Sequence, residues 1–150
     1  MDLLTTRIDL DAIAHNTRLL KDLVGDVLLM AVVKADAYGH GAARVAQVMA
    51  ANGADRFGVA TLREAINLRE SGVSKPILAW IWSPEQDVAE ALSLNIRLGV
   101  PSVAHAQALV DHRLRATAHL AGAHRVEDRR AVATHEGKHV LVTLHAVARV

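Results

Sequence analysis

Apolar and polar positions along this chain follow two rhythms, and the alternation between them marks out a repeating unit. Leu10, Ile13, Thr17, Leu20 and Val24 recur three and four residues apart, which predicts a helix, with Asp9 or Asp11 to start it and Gly25 to end it. Leu28 to Val33 form an unbroken apolar run, the pattern of a strand buried on both faces. Ala42 to Ala51 reads as a helix stopped at Gly53, and Phe57 to Ala60 as a short strand. Thr61 with Glu64 three residues on has the capping-box spacing, opening a helix that runs to Ser71 and ends at Gly72. Pro76 to Ile81 is a third strand, and Ser83, Pro84 and Gln86 repeat the helix-start logic with Pro84 at the first helical position. Ile96 to Val100 is a fourth strand, after which Pro101 and Ser102 lead into a helix toward Val110.

Strands separated by helices at these intervals are βαβ units, and right-handed crossovers wind them into a parallel sheet. The fold class predicted is therefore α/β, with four units in a row amounting to half of a barrel. Composition agrees: 51 % of residues are hydrophobic and only 3 % aromatic, which suits helices layered on a parallel sheet. The 150 residues suffice for one well-buried domain, whereas a complete eight-stranded barrel takes roughly 250. There is no cysteine, so disulfides and thiolate metal sites are excluded, in keeping with a reducing cytoplasm. A formal charge of +1 gives no case for nucleic acid or a membrane surface as partner. No apolar stretch is long enough to span a bilayer, and Met1-Asp2-Leu3-Leu4 lacks the basic start of a secretory signal. The expected location is cytoplasmic.

Chemistry concentrates in the run from Ala31 to Gly41. Lys34 stands at the C-terminal end of an apolar strand, where α/β folds place their reacting groups, and is the candidate nucleophile. Gly39 and Gly41, one residue apart, let the backbone turn tightly and approach a bound group, and Tyr38 offers a hydroxyl to a phosphate oxygen. Lysine beside a phosphate contact points to pyridoxal 5'-phosphate. His40 is a further polar candidate, though a histidine in a turn is more often solvated.

Val33-Lys34-Ala35-Asp36-Ala37-Tyr38-Gly39-His40-Gly41 resembles, almost letter for letter, the cofactor-lysine signature of the alanine racemases. Arg7 to Asn16, Phe57 to Ala65, Leu68 to Val73 and Pro76 to Trp80 are similar to the family's opening helix, second unit and third strand. The resemblance implies a partial (β/α)8 TIM-type barrel of the first four to five βα units, without the family's C-terminal β domain. It also implies a pyridoxal-phosphate-dependent amino-acid racemase that interconverts L- and D-alanine to supply peptidoglycan precursors. Lys34 would then form the internal aldimine and act as one of two bases, and Tyr38 would contact the cofactor phosphate. Family members are homodimers with shared active sites, the second base being a tyrosine of the partner's C-terminal domain. The single tyrosine of this chain is Tyr38.

Past about residue 104 the pattern changes. Seven of the nine histidines lie at 105 and beyond, and of these only His135 and His139 share a helical face, with Gly137 between them and no third ligand; no metal site is expected. Thr117-Ala118-His119-Leu120 fits the start of the strand that the family leads one to expect next, but residues 121 to 130 do not continue it, so neither Arg125 nor Arg129 takes over the family's arginine role. Of the two tryptophans, Trp80 and Trp82, one pointing inward is expected to be core. The expected organisation is a barrel portion over 1–120 and a divergent, poorly packed or frame-shifted tail over 121–150, apart from a possible strand at Val140 to Leu144. Two functional readings follow: an alanine racemase represented by its N-terminal barrel portion, or a truncated, inactive remnant that at most binds pyridoxal phosphate. Serine and alanine as substrates are not distinguished by these residues.

Overall fold

The computed structural model describes residues 5–121 and 139–142, with side chains through residue 113. Helix α1 (Leu10–Val24) begins where the Asp9 carboxylate accepts the N–H groups of Asp11 and Ala12, both at 3.0 Å, and ends at Gly25, whose φ of 58° reverses the chain. Strand β1 (Leu28–Val32) follows, then a single helical turn, α2 (Lys34–Gly39), and helix α3 (Ala42–Ala51). Next come β2 (Arg56–Thr61), α4 (Leu62–Glu70), β3 (Ile77–Ile81), α5 (Ala89–Ser93), β4 (Ile96–Leu98), α6 (Val103–Ala121) and β5 (His139–Val142). All ladders are parallel and the strand order is β4-β3-β2-β1-β5, so four successive βα units lie side by side and β5 pairs with the other edge of β1.

The two faces of the sheet differ. Leu29, Ala31 and Val33 alternate with Leu28, Met30 and Val32, and the register sets Ala31 beside Phe57 and Val59 beside Ala79 on the helix-covered face. There they meet Val45, Ala46 and Met49 of α3 and Ala65 and Leu68 of α4, forming the core. The opposite face carries Met30, Val32, Leu78 and Trp80 around Gly58, where a Cβ would stand 2.9 Å from the Trp80 ring. Expected burial of Leu28 to Val33 on both faces therefore holds only in part: Leu28 is exposed and Met30 half-buried, because helices cover one side of β1 alone.

The capping box forms as its spacing predicts, with Thr61 and Glu64 exchanging side-chain and backbone hydrogen bonds at the start of α4. Ser83, Pro84 and Gln86 do not start a helix. Gln86 accepts the Ser83 N–H at 2.8 Å and the Ser83 hydroxyl bonds Glu85 at 2.6 Å, so their polar groups are consumed within one turn, and α5 begins at Ala89 with its N–H on Asp87. Strand β4 stops at Leu98, short of Val100. Residues 117–120, which matched the start of a strand, are helical and close α6. The strand expected at 140–144 is present as His139–Val142. Helix α6 runs through the expected boundary at 120/121 to Ala121; Arg125, Arg129 and His135, with residues 122–138 and 143–150 of the expected tail, lie outside the described residues.

Candidate active site

Lys34 leaves the sheet at the C-terminal end of β1, one residue after Val33 donates its N–H to the Gly58 carbonyl at 2.9 Å. The next four residues take an unexpected course. Ala35, Asp36, Ala37 and Tyr38 have φ between 51° and 54° and ψ between 40° and 47°, so α2 is a left-handed helical turn built without glycine. Each such residue costs roughly 1–2 kcal/mol through the contact of Cβ with the following carbonyl oxygen. Hydrogen bonding opposes that cost: Ala37 donates to the Val33 carbonyl and Gly41 to that of Asp36, both at 3.0 Å.

Two carboxylates hold the turn from its ends. The Asp36 Oδ1 accepts the N–H of Ala42, the first residue of α3, at 2.7 Å. Glu64, from α4 in the next βα unit, accepts the Ala35 N–H on Oε1 at 2.8 Å, and the N–H groups of Ala60 and Thr61 on Oε2 at 2.8 and 2.9 Å. Burial pushes the Glu64 carboxyl up, but the Thr61, Ala35 and Ala60 N–H groups outweigh it and keep the group below the ordinary glutamate range.

The left-handed winding puts Lys34 and Tyr38 together. The lysine Nζ hydrogen-bonds the tyrosine hydroxyl and lies 4.5 Å from the ring centroid. Both predicted site residues thus converge at the C-terminal end of β1, with Lys34 half-buried and Tyr38 exposed. His40 does not join them: its Nδ1 pairs with the Ala37 carbonyl at 2.8 Å, closing the turn on itself. Gly39 and Gly41 have φ of 83° and 84° with no protein atom within 4 Å of an added Cβ, so their backbone conformation, rather than crowding, asks for glycine. Trp82 is buried, donating Nε1–H to the Gly99 carbonyl at 2.6 Å with His105 edge-on to its ring, and so belongs to the core. Reading the sequence alone missed Asp36 and Glu64 as site-building residues. The capping box was a signal for Glu64, but nothing local showed that its second oxygen reaches Ala35.

A parallel βα layer with an amine at the end of its first strand, on a turn tied down by the next unit, has the architecture of part of a (β/α) barrel. Residues 8–126 match the family model described as alanine racemase, N-terminal domain, and the chain belongs to that family. An alanine racemase of Corynebacterium efficiens is 68 % identical over 111 residues, covering 74 % of this chain and 30 % of the relative. One of Mycolicibacterium smegmatis is 52 % identical over 97 residues, covering 65 % of this chain and 25 % of the relative. The crystal structure of the Corynebacterium glutamicum alanine racemase superposes with a TM-score of 0.72 at 62 % identity, covering 74 % of this chain and 32 % of that one. The chain spans about 30 % of the length of the Corynebacterium efficiens relative.

Proposed function

We propose that this chain is the lysine-bearing first half of an alanine racemase barrel, in which Lys34 carries pyridoxal 5'-phosphate and moves the α-proton on one face of alanine. The single observation that carries this is the pairing of the Lys34 Nζ with the Tyr38 hydroxyl on a turn anchored at both ends. The residues fit the cofactor: one strand-end amine suits its aldehyde, and a phenol hydroxyl beside that amine suits its phosphate. When bound, pyridoxal phosphate supplies an electron sink for negative charge at the amino acid's Cα.

The chain's own residues do the rest. Lys34 would hold the cofactor through its amine and would take or return the Cα proton from its own side. Tyr38 would hold the phosphate by donating its hydroxyl hydrogen to a phosphate oxygen. The second base, on the opposite face, is supplied from outside these residues, which accords with the family's homodimer. The same reading makes alanine the substrate. A Bacillus anthracis alanine racemase solved with bound L-Ala-P, 36 % identical with a TM-score of 0.62, supports that substrate class. Among the described residues no helix is long and apolar enough to cross a membrane; cytoplasmic location, where the reaction's product is used, is part of the proposal.

Reductive trapping tests this reading. With pyridoxal phosphate and borohydride, peptide mapping is expected to find the pyridoxyl group on Lys34 in preference to Lys21, Lys75 and Lys138. Equal labelling of the four lysines would overturn it.

A further inference from the structure

Glu64 ties the lysine turn to a different βα unit, and the capping of α4 does not require that tie. The box is complete with Oε2 alone, on Thr61 and Ala60, while Oε1 turns away from the helix and takes the first N–H after Lys34. That N–H belongs to Ala35, the first of the four left-handed residues, where the chain departs from the strand. We propose that Glu64 is a positioning residue for Lys34: its Oε1 fixes the entry to the left-handed turn and thereby the direction in which the lysine side chain leaves β1. The inference rests on the reading of Lys34 as the cofactor lysine.

Three consequences follow from the geometry. A carboxylate is needed, because three N–H groups converge on two oxygens and a glutamine offers only one acceptor. A glutamine at 64 keeps its oxygen on the Ala60 and Thr61 pair and turns its NH2 toward the Ala35 N–H, donor against donor. The cap survives while the lysine turn loses its anchor. Removing Thr61 Oγ does the reverse, since that atom only accepts the Glu64 N–H at 3.3 Å and leaves the carboxylate where it is.

The test compares wild type, Glu64→Gln and Thr61→Ala in the full chain, by two readouts. The first is amide exchange of Ala37 and Gly41 in the cofactor-free protein, whose N–H groups bond within and just after the turn. The second is the rate of borohydride trapping of pyridoxal phosphate at Lys34 relative to Lys21, Lys75 and Lys138. Glu64→Gln is expected to speed exchange and to lower the Lys34 preference by about tenfold, the weight of one hydrogen bond to a charged acceptor. Thr61→Ala is expected to lower thermal stability while leaving both readouts within about twofold, a margin well below one such bond. Unchanged exchange in Glu64→Gln, or equal changes in both variants, overturns the inference. If wild type shows no Lys34 preference, the functional reading fails and the exchange data still decide the role of Glu64. Should Glu64→Gln not fold, Glu64→Asp replaces it, because the shorter carboxylate can cap α4 but cannot span to Ala35.

Discussion

Asp36 caps a helix to which it does not belong: from inside the left-handed turn its Oδ1 accepts the Ala42 N–H at 2.7 Å, joining the lysine turn to α3. Gly41, the residue in the usual capping position, has no side chain to do so. Asp36→Ala is therefore expected to cost about 1 kcal/mol, the ordinary worth of an N-cap, and Asp36→Asn much less. Urea denaturation of the three proteins measures this, and equal stabilities would show the contact to be idle.

The handedness of the turn makes a prediction opposite to the usual rule for glycine. In the right-handed helix α3, replacing the exposed Ala43 by glycine should destabilise by about 1 kcal/mol. At Ala35, exposed with φ of 51°, the same change relieves the left-handed penalty and should be neutral or stabilising by up to about 1 kcal/mol. A loss at both sites would mean the turn is not left-handed in solution.

Acid should release the bottom of the sheet through Asp55. Burial pushes this carboxyl up, but the Leu29 N–H at 2.8 Å and the Lys21 ammonium at 2.9 Å prevail and hold it below the ordinary aspartate range. A folded value below the unfolded one means that the stability is fully present above the unfolded pKa, near 4, and disappears as pH falls through the folded value. Asp55→Asn should then be less stable than wild type at pH 7 by on the order of 1–2 kcal/mol. The two curves should converge once the pH falls below the folded value. Parallel curves from pH 7 to 2 would remove the assignment.

Gly58 has no room for a methyl group, with the Trp80 ring 2.9 Å and the Met30 Sδ and Val32 Cγ2 each 3.3 Å from where a Cβ would stand. Gly58→Ala is expected to lower stability by roughly 1–3 kcal/mol through overpacking. Trp80→Leu in the same chain should recover part of that loss, because the offending atom is the far edge of the indole. Additive losses in the double variant would place the strain elsewhere.

Much of this fold was legible because its signals are local. Asp9, Thr61 and Gly25 each act within three or four residues of the helix end they control, and the apolar runs of β1 and β3 need only a helix-covered face to become strands. What escaped was decided at a distance or against intrinsic preference. Ala35, Ala37 and Tyr38 have no tendency toward left-handed backbone, so their conformation came from the anchors that the Asp36 and Glu64 carboxylates supply. Ser83, Pro84 and Gln86 carry every mark of a helix start, yet satisfied one another in a turn before a helix could use them. At the site, Lys34 and Tyr38 were recognisable from their motif, whereas the reach of Glu64 depends on β1 and β2 being neighbours, which no local pattern encodes.

A helical turn of reversed hand cannot be adjusted by degrees. The left-handed region is an island in backbone space, separated from the right-handed and extended regions by conformations that sterics forbid. Four consecutive residues on that island can leave it only by crossing the barrier, so the segment has no partly wound form into which it could relax. Here the side chain's point of departure is set by a switch with two positions, wound or lost, and whatever loosens the turn removes the Lys34–Tyr38 pairing outright instead of blurring it.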